Sequence, residues 1–219
     1  MSRNWYRQTM VRTSTRFPKG AKTMRTSLVR VPAIALVAVA LLGPAPPCQA
    51  VVLPWLGVVG LNGTTSAARP ELAGTVLQDN LIPFTITDPS NTVVFQGTVQ
   101  DRVVRSDMTG ALHFYFFIRD TDPNGSHAIV GVSRTGFGTG STDVDYRTDG
   151  LGDVGPGLAS RTVIPDEVDF DFSLDAIGPG QESLFTFVVT EATGFAQTGT
   201  LTLYTDDGSS VTLSCAAPN

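Results

Sequence analysis

Residues 93–120 read VVFQGTVQDRVVRSDMTGALHFYFFIRD, and this stretch decides the fold class. Val93, Phe95, Gly97 and Val99 take every second place, with Gln96, Thr98 and Gln100 between them. Successive side chains of a strand point to opposite faces, so this spacing puts an apolar row on one side and a polar row on the other. Beyond the turn residues Asp107-Met108-Thr109-Gly110, a second row runs Leu112, Phe114, Phe116, Ile118 and faces His113, Tyr115, Phe117, Arg119. Two alternating segments joined by a Gly-bearing turn predict an antiparallel hairpin.

The same grammar continues in both directions. Leu184, Thr186 and Val188 alternate with Phe185, Phe187 and Val189, a strand apolar on both sides. Further strands are expected at 81–87, 128–135, 142–148, 168–173, 198–205 and 211–215, all rich in β-branched and aromatic residues. Asp88-Pro89-Ser90-Asn91, Asp122-Pro123-Asn124-Gly125 and Asp206-Asp207-Gly208 supply turn chemistry between them. No 3.6-residue apolar period competes downstream of residue 50. About nine or ten short strands predict an all-β, single antiparallel β-sandwich, with a closed barrel as the structural alternative. The glycines at 136, 138, 140, 150, 152, 155 and 157 read as a long connection or irregular edge around the 142–148 strand, ahead of a functional loop.

The N-terminus follows a different grammar. Residues 1–30 carry eight Lys and Arg and no acidic residue, Val31–Leu42 is apolar, and GPAPPCQA ends at Ala50. A basic stretch, a short apolar core and a small-x-small exit are the parts of a signal peptide, expected over 1–50, with Met24 an alternative start. The apolar run is short for a membrane span, and Pro47 argues against Cys48 as a lipid-modified residue. Residues 51–70 read as a lead-in with an edge strand near Leu56–Leu61, and 71–219 as the sandwich. Localisation is expected to be secreted or at the cell surface.

After residue 50 seven arginines stand against twenty acidic residues, a net charge of −13. That balance disfavours nucleic acid and anionic membrane surfaces as partners. Only Cys215 remains beyond Cys48, so the domain has no internal disulfide, and Cys215 reads as a small buried hydrophobe.

The runs VFQGTVQDRVVR (94–105), ALHFYFFIRD (111–120), DVDYRTDGLG (143–152) and GPGQESLFTFVVTEATGF (178–195) resemble a family of uncharacterised exported bacterial proteins, many of which end in a PEP-CTERM sorting tail. The resemblance spans roughly residues 72–211 and implies an exported β-sandwich, with no activity attached. This sequence ends TLSCAAPN and departs from the tail pattern.

Few residues suggest chemistry. Asp120-Thr121-Asp122-Pro123-Asn124-Gly125 matches the first half of a calcium loop, with Asp120, Asp122 and Asn124 as candidate ligands. The twelfth position, where a bidentate Glu belongs, is Gly131, and the same six residues make a hairpin turn, the first reading. Asp166, Glu167, Asp169 and Asp171 form an acidic run, with the last three on one face opposite Val168, Phe170 and Phe172; it reads as solvated, as do Asp143 and Asp145. The histidines, His113 and His127, belong to no catalytic motif, and His113 reads as a strand-face residue. A non-enzymatic secreted or surface-associated protein, structural, adhesive or binding, is the expected function. A calcium-assisted carbohydrate-binding module and a secreted hydrolase with a dispersed site are the alternatives.

Overall fold

A computed structural model describes residues 51–138, 142–162 and 166–219. The expected signal peptide and Gly140 lie outside them. Among the described residues no helix is long and apolar enough to cross a membrane.

The strands are β1 (Val52–Leu53), β2 (Val58–Gly60), β3 (Gly74–Thr87), β4 (Val93–Ser106), β5 (Leu112–Asp120), β6 (Ile129–Arg134), β7 (Thr142–Tyr146), β8 (Leu158–Ser160), β9 (Val168–Asp171), β10 (Thr186–Val189), β11 (Phe195–Thr205) and β12 (Ser210–Pro218). They form two six-stranded antiparallel sheets, in the orders β1-β7-β10-β5-β4-β3 and β12-β11-β6-β9-β8-β2. The chain is an all-β sandwich. It has two strands more than the upper expectation because β1 and β8, two and three residues long, carry no alternation to betray them. The edge strand expected near 56–61 is β2. The lead-in therefore gives one edge strand to each sheet, β1 beside β7 and β2 beside β8.

The first sheet is organised around β5, whose residues from Leu112 to Ile118 are all buried. One row, Leu112, Phe114, Phe116 and Ile118, enters the core between the sheets. There it meets Val132 of β6, Phe170 of β9 and Leu201 and Leu203 of β11. Phe116 packs edge-on against Phe170 at 5.3 Å between ring centroids, and Phe114 likewise against Phe137 at 5.7 Å. Each such side chain contributes roughly 1.5–3 kcal/mol by leaving water. Cys215 is a buried free thiol in this core.

One ion pair lies inside the core. Asp101 occupies the inward row of β4 between Val99 and Val103, and Arg134 on β6 reaches it from the other sheet, both fully buried. Arg134 Nη2 donates to Asp101 Oδ1 at 3.0 Å and to the Ala216 carbonyl at 2.9 Å. Asp101 Oδ2 accepts from the Ala216 N–H and from Gln78 Nε2, both at 2.9 Å. The Arg134 guanidinium also lies 5.6 Å from the Phe137 ring centre. The pair thus joins β4 to β6 and, through Ala216, to β12, while Arg134 Nε and Nη1 have no hydrogen-bond partner among the described residues.

Candidate functional site

The second face of β5 explains why ALHFYFFIRD is apolar on both sides. His113, Tyr115 and Phe117 point away from the sandwich core yet are buried. Leu72, Val104, Tyr115 and Phe187 form a smaller cluster there, joined by Phe185 and Val189. Strand register carries one row across five strands. Asp79 of β3 is opposite Arg102 of β4, then Tyr115 of β5, Phe187 of β10 and Asp145 of β7.

A strap, residues 64–73, covers part of this outer face. Its start bridges to Arg147, with the Thr64 N–H donating to the Tyr146 carbonyl at 2.8 Å and the Thr148 N–H to the Thr64 carbonyl at 2.8 Å. Ser66 donates its N–H and hydroxyl to Asp149 Oδ2 at 2.8 and 2.7 Å. Arg69 is held by Asp143 and by Glu71, and its guanidinium sits 5.5 Å from the Phe187 ring centre. A single 3₁₀ turn, Pro70–Leu72, then drops Leu72 onto the apolar cluster before β3 begins.

Beside the strap the face stays open as a groove of about 600 Å³, within the size range of small-molecule sites. The outward row of β4 supplies Gln100 and Arg102, β5 supplies Tyr115, and Phe185 precedes β10. The strap supplies Ser66 and Leu72, and the loop after β7 supplies Arg147, Gly150 and Leu151. Arg102 makes a two-point contact with Asp79, Nε at 3.1 Å and Nη2 at 2.9 Å, and lies 4.8 Å from the Phe185 ring centre. Arg147 Nε donates to Asp149 at 2.5 Å. That bond, with the Ser66 donors against partial burial, holds the Asp149 carboxyl well below the usual carboxylate range. The Tyr115 side chain is only 3 % exposed, and its hydroxyl lies beside the Arg147 guanidinium without a well-formed hydrogen bond. Burial pushes this phenol up.

Two glycines shape the loop. Gly152 adopts φ +113°, and a Cβ there would stand 2.1 Å from the Ser183 carbonyl oxygen. Gly63, at φ +73°, lets its N–H reach Asp145 Oδ1 at 2.9 Å. Asp143 and Asp145 are therefore engaged beneath the strap and not on a solvated face, a correction to the sequence reading. His113, also buried there, has neither ring nitrogen hydrogen-bonded. Burial first and the nearby Arg69 second bring its pKa down to about 4.

The calcium candidates fall elsewhere. Asp120 ends β5, and its two carboxylate oxygens accept main-chain N–H groups, Asp122 on one and Gly180 on the other, each at 2.7 Å. Asp122 in turn accepts from the Asn124 N–H at 3.1 Å. Among the described residues no third acidic side chain converges with Asp120 and Asp122. A different group does converge: ligand atoms of His127, Asp206 and Asp207 lie within 4.8 Å of one another. Its members already serve the fold, since His127 Nδ1 contacts Asp206 at 2.7 Å and Asp207 accepts from Thr205 and Ser209. Glu167, Asp169 and Asp171 are half-exposed, with Asp169 taking the Ser133 hydroxyl and Asp171 the Ser173 N–H. Neither imidazole is hydrogen-bonded to a serine hydroxyl among the described residues.

The sequence reading sets Gln100 and Tyr115 on polar or opposite rows without bringing them together, and it gives Arg102 no place. The missed signal was the unbroken apolarity of 114–118, which requires a cover on the second face. No protein-family model, curated protein or solved structure matches the chain.

Proposed function

We propose that the protein is an exported, non-enzymatic binding protein of the cell surface or surroundings, and that its ligand seats in the groove on the outer face of the first sheet. The observation that carries this reading is the groove itself: an open cavity with an aromatic side, two guanidinium groups, an amide and a hydroxyl. Apolar walls with a few fixed polar groups are the usual make-up of a ligand site. Both arginines are held in place by their own carboxylates, Asp79 and Asp149, so binding costs little side-chain ordering. Export is supported by the basic start, the apolar Val31–Leu42 run and the small residues ending at Ala50.

A carbohydrate ligand is favoured within this reading by one specific arrangement. Phe185 offers a ring edge-on to Tyr115 at 6.4 Å and stacked on Phe117 at 4.7 Å, beside the Gln100 amide, whose Nε2 donates to Asp79 at 2.6 Å, and the Ser66 hydroxyl. Sugars present just such a mixture of C–H faces and hydroxyls. The test is a glycan array probed with the purified protein and with Leu151→Glu, which alters a groove residue that is 64 % exposed. The expected result is binding to a defined glycan set, lost in the variant with its melting midpoint retained. Identical glycan profiles for the two proteins, or no glycan bound, would overturn the carbohydrate reading. Export is checked by N-terminal sequencing of secreted material, expected to begin at Val51.

A further inference from the structure

We propose that the strap, residues 64–73, is an acid-released latch: a proton taken up by His113 frees it from the outer face and removes one wall of the groove. Such a latch works whatever the groove holds, so it stands apart from the ligand reading. His113 is an imidazole with nowhere to place a charge. It points outward on the face the strap crosses, is 1 % exposed, and bonds no protein group through either ring nitrogen among the described residues. Its cross-strand neighbours, Val104 of β4 and Val189 of β10, take up no proton. The Tyr115 ring, two residues along β5, lies 6.4 Å away between ring centres. The charged groups that act on His113 are Arg69 and Glu71, both of the strap, and the guanidinium acts more strongly than the carboxylate. Asp143 of β7, beyond Val189 in the same row, is engaged by Arg69.

Arg69 also fastens the strap. Its buried guanidinium is held by Glu71 and Asp143 and set against the Phe187 ring. The strap's other ties to the loop after β7 are polar, Thr64 to the main chain of Tyr146 and Thr148, and Ser66 to Asp149. Leu72 adds its apolar contact at the far end. A segment tied down by a few polar contacts can open while the sheet beneath stays folded. A protonated His113 sets a second buried cation near Arg69 and itself needs water. Lifting the strap meets both needs, and the groove loses Ser66 and Leu72 with it. Burial pushes the Asp143 and Asp145 carboxyls up, so these two favour the closed strap as pH falls through their own range. They are unchanged in a His113→Leu variant, which therefore isolates the imidazole.

Amide hydrogen exchange of the purified protein at pH 7 and pH 5, corrected for intrinsic rates, reads the opening of each segment. The Thr64 and Ser66 N–H groups are the reporters, since both bond outside the strap. His113 titrates at about 4 when covered and takes the ordinary 6.5 when hydrated, so the open form gains the proton that the closed form refuses. The opening constant at the two reporters is expected to rise roughly twentyfold from pH 7 to pH 5. Amides of β5 and β10 are expected to keep their protection, and His113→Leu to abolish the rise. An unchanged constant in the unaltered protein overturns the latch. So does a rise shared equally by β5 and β10, which is global unfolding, or a rise retained in His113→Leu. The comparison within the unaltered protein decides by itself should the variant fail to fold.

Discussion

His113 is the second residue of β5, with Val104 and Val189 as its cross-strand neighbours and Arg69 and Glu71 close to its buried ring. Its folded pKa of about 4 lies below the ordinary 6.5. Between those values the unfolded chain takes up a proton that the folded chain refuses, so stability falls as pH drops from about 6.5 to about 4 and is flat below. The shift corresponds to a loss on the order of 3 kcal/mol. His113→Leu removes the titrating group, and urea melts of both proteins at pH 7 and pH 4.5 are expected to show the variant losing less stability on acidification. Equal losses would contradict the assignment. His113 also shows how a residue placed on a strand face conceals its setting: alternation gives the face, while the strap residues Arg69 and Glu71 beside it come from more than forty positions earlier.

The elements that build the groove differ in how legible they were. β4 and β5 followed from alternation in 93–120, because rows of Val and Phe every second residue admit no other regular structure. The strap did not follow, since Thr64, Ser66 and Arg69 gain meaning only from Arg147, Asp149 and Asp143, about eighty positions away. Asp143 and Asp145 were read as solvated for the same reason: an alternating acidic row looks alike whether water or an arginine covers it. The loop after β7 depends on Gly152. Gly152→Ala forces a Cβ against the Ser183 carbonyl at an unfavourable φ, and the variant is expected to lose about 1–3 kcal/mol in denaturant melts; an unchanged midpoint would mean that the loop has another conformation. The Asp120–Gly125 loop is a turn satisfied by its own main chain and by Gly180. A thermal melt with millimolar calcium is therefore expected to match one with chelator, whereas a clear rise of the midpoint with calcium would establish a metal site.

At the scale of the whole molecule, two six-stranded sheets enclose a single aromatic-rich core, and one of them turns its other face into a second, partly covered surface. The Asp101–Arg134 pair joins the two sheets, and the strap covers part of the outer face beside the groove. Function is drawn from that groove. Hydrogen–deuterium exchange of the purified protein, with and without a saturating glycan found on the array, reads where a ligand sits along the chain. Slower exchange is predicted in residues 64–74, 100–104 and 147–151, with the rest of the sandwich unchanged. Unaltered rates in those three segments, or protection confined to 120–127 and 204–209, would contradict the placement of the binding site in this groove.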